Sequence, residues 1–381
     1  MASSVSAPAS IAQNNTPDTS EPPPLTFSTS LFRHISPALY LQRHLLHEPP
    51  IRPNGRHPSQ HRDFTLTTNS LSHAHGSAVV RTGDTAVVCG IRGEILTLAP
   101  GDDHTAFESY HRSHASGTYG RGSRGSGGAS WGDLIVSNLE ISTGCSKKYP
   151  LGPPGSFAQT LSDQIQELIR VSKLVDLTSL RICAQDATPE PSQRPIKGYW
   201  SLYIDVLCIS LDGNLLDAAW YAIVAALRSL KLPLASWNHL EERIFCDRSS
   251  LHPISLRGNL PMVATFILVP VARSSESAGS KGHTHNSDNI ILNDPDAFEE
   301  DQANETLTIL STSINGEQEK NPRSRTGLLG TKTRIEKIEK IGECKLGNLH
   351  LRECLILAVE KSSRFTEALI KEGLDAGNFI V

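Results

Sequence analysis

The strongest constraint in this chain is a local pattern: two β-branched runs separated by a glycine-bearing loop. Ser77-Ala78-Val79-Val80-Arg81 and Ala86-Val87-Val88-Cys89-Gly90-Ile91 flank Thr82-Gly83-Asp84-Thr85. Runs of this kind joined by so short a loop predict an antiparallel β-hairpin. Upstream, Ile51-Arg52-Pro53-Asn54-Gly55-Arg56 sets Asn-Gly behind a proline, which favours a tight turn between two guanidinium groups. Arg62-Asp63-Phe64 then leads into a polar-apolar alternation.

Length and composition bound what surrounds this hairpin. A chain of 381 residues has room for one large or two small domains, and 38% hydrophobic with 6% aromatic content suits an α/β or α+β core of aliphatic side chains. Lysine and arginine number 36 against 40 acidic residues, a net charge of −4. That balance gives no global pull toward nucleic acid, so any RNA contact must be local. Seven cysteines, an odd number without a C-x-x-C pair, argue against both a disulfide framework and a structural zinc site. A reducing cytosol or nucleus fits them. The Asn-x-Thr sequons at Asn14 and Asn304 matter only in a secreted chain, and the N-terminus lacks a signal-peptide pattern. No apolar run approaches the roughly 20 residues of a membrane span, so no membrane partner is expected.

Along the chain, residues 1–29 are rich in Ala, Ser, Thr and Pro and read as a disordered tail. Leu31 to Leu46 places apolar residues at helical spacing until Pro49-Pro50, which predicts a docking helix. Three polar insertions are expected, near 100–130, 272–289 and 315–333. The first contains Gly120-Arg121-Gly122-Ser123-Arg124-Gly125, which spells G-x-G-x-x-G. No strand leads into it and no amphipathic helix follows, so it lacks the context of dinucleotide binding and reads as a loop. His104, His111 and His114 lie in the same segment without partner ligands at metal spacing.

Further strands are predicted from Trp131 to Ser142, over Leu180–Cys183, and over Tyr199–Ser210, the last of these central. Leu161, Ile165, Leu168 and Ile169 form one stripe of a helix expected to end near Leu177. Leu215 to Leu230 is a helix apolar on nearly all sides and must be buried. Residues 251–270 read as a hairpin. Ile290-Ile291-Leu292 and Thr306 to Ile309 frame an acidic cluster, and Leu349 to Leu369 suits a long C-terminal helix. Asp205 and Asp212 invite comparison with a catalytic carboxylate pair, but a strand-face Asp and an Asp-Gly turn account for them.

The Arg-Pro-x-Gly-Arg turn, the Arg62-Asp63 strand, the hairpin with Gly-Asp-Thr at its tip and Gly93-Glu94 after it together resemble the N-terminal half of an RNase PH domain. The match continues through Ile135-Val136-Ser137-Asn138-Leu139-Glu140, Leu174-Val175-Asp176-Leu177, the Tyr203 to Ala219 strand-turn-helix and Leu292-Asn293-Asp294-Pro295. These segments are similar to the RNase PH-like subunits of the RNA exosome ring that lack catalysis, and the resemblance spans most of residues 31–375.

It implies an α+β fold of the RNase PH type, two sheet-and-helix halves like the second domain of ribosomal protein S5, in one domain over 30–375. It implies a structural role in 3′-to-5′ RNA processing and degradation, in the nucleus, nucleolus and cytoplasm. The implied partners are other RNase PH-like subunits in a six-membered ring, S1/KH cap subunits, an exosome-associated nuclease, and RNA through the complex. An active phosphorolytic 3′-to-5′ exoribonuclease is the alternative.

Phosphorolytic relatives carry a Gly-Arg-Thr-type motif at the start of the helix that holds Leu161, and its arginine holds the attacking phosphate. Here Pro154-Gly155-Ser156-Phe157-Ala158-Gln159-Thr160-Leu161 has no arginine, and orthophosphate needs convergent guanidinium and helix N-terminal donors. In the cluster Asp294 to Asp301, which could otherwise hold Mg²⁺, a proline follows the first Asp. No catalytic residue, metal site or cofactor is therefore expected. Arg52, Arg56, Arg121, Arg124, Lys147 and Lys148 are the candidate RNA contacts.

Overall fold

A computed structural model describes residues 27–97, 134–149, 152, 155–184, 195–257, 260–271, 288–314, 332–343, 346–373 and 379–380. Almost all of the expected tail and most of the three expected insertions lie outside the described residues. So do Arg121, Arg124 and the three histidines near them.

The first half is built on a sheet with strand order β1-β2-β3-β6-β4. Its members are β1 (Phe64–Thr68), β2 (Gly76–Thr82), β3 (Thr85–Thr97), β4 (Ile135–Ile141) and β6 (Ile196–Ser210), with β5 (Arg181–Cys183) also paired to β6. The hairpin is present: β2 and β3 pair antiparallel down to Thr82↔Thr85, so Gly83 and Asp84 alone make the turn. β6 is central as expected, meeting β3 antiparallel and β4 parallel.

Two helices cover this sheet. In α3 (Ser156–Ser172), Leu161, Ile165, Leu168 and Ile169 are buried. Gln166 ties it to β4 by accepting from the Ser137 backbone N–H at 2.8 Å and donating to the Ile135 carbonyl at 2.7 Å. It stops at Ser172 rather than Leu177 because Lys173 turns left-handed at φ 47°, and a 3₁₀ turn follows over Leu177–Leu180. In α4 (Leu215–Ser229), every residue but Arg228 is buried. β2 approaches this helix so closely that a Cβ on Gly76 would lie 2.6 Å from the Ala226 carbonyl oxygen.

The second half is a four-stranded antiparallel sheet of order β11-β10-β12-β13: β10 (Pro261–Val271), β11 (Asp288–Asn293), β12 (Thr306–Ile314) and β13 (Lys332–Ile341). A long helix, α6 (Asn348–Lys371), buries Cys354 and Ala358 against Phe266, Leu307 and Ile309 of that sheet. The other face of the sheet takes Leu41 and Leu45. Those two residues belong to the second of a pair of helices, α1 (Thr29–Ile35) and α2 (Pro37–Leu45), where one docking helix was expected. Pro37 explains the break, since it cannot supply the N–H that a continuous helix needs. β10 is buried on both faces, hence its unbroken apolar sequence.

One expectation about strands is corrected, and one strand went unread. Residues 251–270 do not form a hairpin: β8 (Arg243–Pro253) pairs back onto β7 (Lys231–Asn238), β9 (Leu256–Arg257) is two residues long, and among the described residues β10 pairs with β11 and β12. β13, an edge strand rich in charge, follows directly on the third insertion, and its alternation was too weak to read.

Candidate functional site

The junction of the two halves is a buried charge network, and it begins at the Arg-Pro turn. Asn54 and Gly55 (φ 85°) close that turn, with the Arg52 N–H donating to the Arg56 carbonyl at 2.9 Å. Both guanidinium groups point inward. Arg52 reaches Glu299 at 3.3 Å and donates to the carbonyls of Pro58 and Asn293, and neither the Arg52 nor the Glu299 side chain is exposed. Burial lowers the Arg52 pKa to about 10 against the pull of Glu299. Arg56 lies 3.5 Å from Asp294 and 3.7 Å from Glu299.

Arg62 is the third arginine. Its Nη2 donates to Asp294 Oδ1 at 2.9 Å, its Nε and backbone N–H to Oδ2 at 3.0 and 2.8 Å, and its Nη1 to the Asp212 carbonyl at 2.6 Å. Burial would raise the Asp294 carboxyl, yet the hydrogen bonds and charge of Arg62, with Lys361 and Asn214, hold it well below the usual carboxylate range. Within the acidic cluster, Asp294 and Glu299 are thus met by arginine. Asp296 and Glu299 also form a reciprocal capping box on α5 (Ala297–Gln302).

Deeper in, α4 contributes Asp217 and α6 contributes Lys361; both are buried and form an ion pair. Asp217 also accepts from the Thr265 hydroxyl at 2.8 Å, so one carboxylate joins α4, α6 and β10. Sequence reading missed this pair. The available signal was a lysine breaking the apolar stripe of α6 between Ala358 and Phe365, and an Asp inside an otherwise apolar α4.

The region corresponding to a phosphate site lies elsewhere, where α3 begins over β4. A pocket of about 400 Å³ opens there, bordered by Asn138, Glu140, Tyr149, Gly155, Gln159 and Asp163 among others. Gly155 precedes the helix, whose first turn has no side-chain cap. Its backbone N–H groups and dipole favour an anion, but both charged side chains on the pocket wall are carboxylates. Among the described residues, no basic side chain lines it.

The sequence-predicted RNA contacts separate on this geometry. Arg52 is corrected: its side chain has no exposed surface with which to meet a phosphate, and both terminal guanidinium nitrogens donate within the junction. Arg56 retains 13% side-chain exposure and faces Asp294 and Glu299. Lys147 and Lys148 are exposed on the loop after β4, beside the pocket, and Lys148 is ion-paired with Asp301. Asp205 is exposed on β6, and Asp212 sits in the turn to α4, 3.6 Å from Arg62. They do not form a pair.

With this geometry in hand, comparison with known proteins gives a consistent result. The family description "3' exoribonuclease family, domain 1" of RNase PH matches residues 60–233. The chain is 30% identical over 337 residues to the Schizosaccharomyces pombe protein "Exosome complex component rrp43", covering 88% of this chain and 96% of that protein. The chain belongs to the RNase PH family. Within it, the Methanosarcina mazei protein "Exosome complex component Rrp42" is 25% identical, covering 85% of this chain and 90% of that one. A solved structure described as "archaeoglobus fulgidus exosome with RNA bound to the active site" superposes with a TM-score of 0.54 at 22% identity, over 87% of this chain and 96% of that chain. That likeness bears on the fold, which is the two-halved RNase PH type expected from sequence.

Proposed function

We propose that this RNase PH family member is a non-catalytic, structural subunit of an RNA exosome ring, supporting 3′-to-5′ RNA processing and degradation by the complex. One observation carries the non-catalytic part: the pocket at the start of α3 is walled by Glu140 and Asp163, and Gly155 to Leu161 supplies no guanidinium. A phosphate drawn there by the helix end would meet two carboxylates and, among the described residues that line the pocket, no cation to offset them. The ring role is supported by similarity to an exosome component along nearly its whole length.

In this reading, residues 30–375 form one domain that occupies a place in a hetero-hexamer. RNase PH-like subunits flank it, S1/KH cap subunits lie above the ring and an associated nuclease degrades the RNA passed through. A subunit of such a ring presents two different faces to its neighbours, because head-to-tail contacts must close the circle. Lys147 and Lys148, with Arg121 and Arg124, are its candidate RNA contacts. The complex works in the nucleus, nucleolus and cytoplasm.

The test is purification of a tagged full-length chain from its own cells, with identification of what accompanies it. Recovery of RNase PH-like and S1/KH proteins in near-equal amounts is expected. A chain that elutes alone, or with unrelated proteins, contradicts the ring assignment.

A further inference from the structure

At the centre of the charge network lies a cavity of about 10 Å³. Its wall includes His61, Thr82, Asn214 and Tyr221. Three of these residues each bury a polar atom without a hydrogen bond to a protein group, His61 Nε2, Thr82 Oγ1 and Asn214 Oδ1, and the Tyr221 hydroxyl is buried with them, facing the Lys361 ammonium. All four residues are nine-tenths buried or more, with exposures of 9%, 7%, 3% and 2%. Buried polar atoms are rarely left unpaired, and three on residues lining one small space point to a common cause.

The donor and acceptor roles are fixed by neighbours. His61 Nδ1 lies 2.7 Å from the Arg62 carbonyl, which can only accept, so Nδ1 carries the proton and Nε2 presents a lone pair. The Asn214 amide nitrogen donates to Asp217 at 2.9 Å and to Asp294 at 2.6 Å, which leaves Oδ1 as the acceptor. Thr82 and Tyr221 each carry a hydroxyl proton. The Lys361 ammonium stands near the Tyr221 ring and directs its bond to Asp217. The cavity therefore offers two acceptors and two hydroxyl donors.

We propose that this cavity binds a single water molecule, which donates to His61 Nε2 and Asn214 Oδ1 and accepts from Thr82 Oγ1 and the Tyr221 hydroxyl. The volume is that of about one water probe sphere, and a buried water makes two to four hydrogen bonds. Ions fit the site badly. Arg62 and Lys361 on the wall repel a cation, and Asp217 and Asp294 repel an anion. Burial lowers the His61 pKa, with the nearby Lys361 and Arg364 charges adding to the effect, which preserves the neutral ring that can accept. The water joins the segment before β1, the end of β2 and both ends of the first two turns of α4, in contact with Lys361 of the second half. It is part of the joint between the halves rather than of any surface site.

Two measurements test this. The first is an experimental structure of the wild-type chain, in the assembly with which it purifies, at a resolution that shows ordered water. One oxygen peak within about 3 Å of His61 Nε2 and Asn214 Oδ1 is expected. A map without that peak, or with a peak that scatters as a metal ion, overturns the proposal. The second is Thr82→Val, an isosteric change that keeps β-branching. If the hydroxyl bonds a water, its loss strands a buried partner and lowers Tm by about 2–4 °C. If the hydroxyl is unpaired, replacing it by a methyl group raises Tm or leaves it unchanged, and that result rejects the water.

Discussion

Asp217, Asp294 and Glu299 at the junction of the halves are buried, and each is met by an arginine or lysine. Glu140 on β4 and Asp163 on α3 line an exposed pocket and meet no basic side chain among its described lining. The two regions use the same residue types for different ends. At the junction, cations cancel carboxylates inside the protein, where an uncompensated charge would cost several kcal/mol. At the pocket, water screens the carboxylates, so the site is stable without a compensating cation. Arginine near an RNase PH fold is therefore not by itself a sign of catalysis: three of the arginines nearest the hairpin hold the protein together.

Substitutions can break this contrast, beginning with the junction. Asp294→Ala leaves Arg62 and Asn214 without their shared acceptor, and is expected to destabilise the chain by about 3–5 kcal/mol in denaturant unfolding. A loss below about 1 kcal/mol would mean that the network is not structural. Arg52→Lys keeps the charge but removes the planar fork that reaches Glu299 and three carbonyls; about 1–3 kcal/mol is expected by the same measurement.

The pH dependence separates two acids of the junction. Asp294 has a depressed pKa, so its stabilisation is present above the ordinary carboxylate range and is lost as pH falls through and below that range. Burial instead pushes Glu300 up to about 7, against a hydrogen bond from the Asn214 N–H. The fold favours its protonated form, so stability declines as pH rises from near 4 toward 7. Glu300→Gln should thus raise Tm at pH 8 by a few degrees and much less at pH 5, a difference that thermal scans at the two values will register. An equal effect at both would refute the raised pKa.

The smallest effect is expected at the pocket. Gln159 is exposed in the first turn of α3, and Gln159→Arg should alter stability by no more than about 0.5 kcal/mol. A larger loss would show that the pocket, like the junction, is tightly constrained.

Much of this arrangement was legible in the sequence. The hairpin, the central β6, the buried α4 and the C-terminal α6 all follow from strong periodicity. The turn at Asn54-Gly55 was also readable, because few residues tolerate its backbone. What the sequence did not disclose was direction: a guanidinium beside a turn reads the same whether it faces solvent or a carboxylate about 240 residues away in the chain. By sequence alone Arg52 therefore reads as an RNA contact. Asp217 and Lys361 were overlooked for a related reason, since a single charge in an apolar helix has meaning only once its partner is located. The β7-β8 pairing was missed because β8 is almost wholly exposed and lacks a burial alternation.

The proposed non-catalytic role rests on an α3 pocket that does not hold a phosphate for attack on RNA. It is tested most directly by incubating the purified full-length chain, alone and then within the assembly it copurifies with, with single-stranded RNA and inorganic phosphate. Nucleoside diphosphate release should be absent from the chain alone, and any release by the assembly should be unchanged by Glu140→Gln or Asp163→Asn in this subunit. Phosphate-dependent release by the isolated chain, abolished by substitutions in its own pocket, would contradict the account.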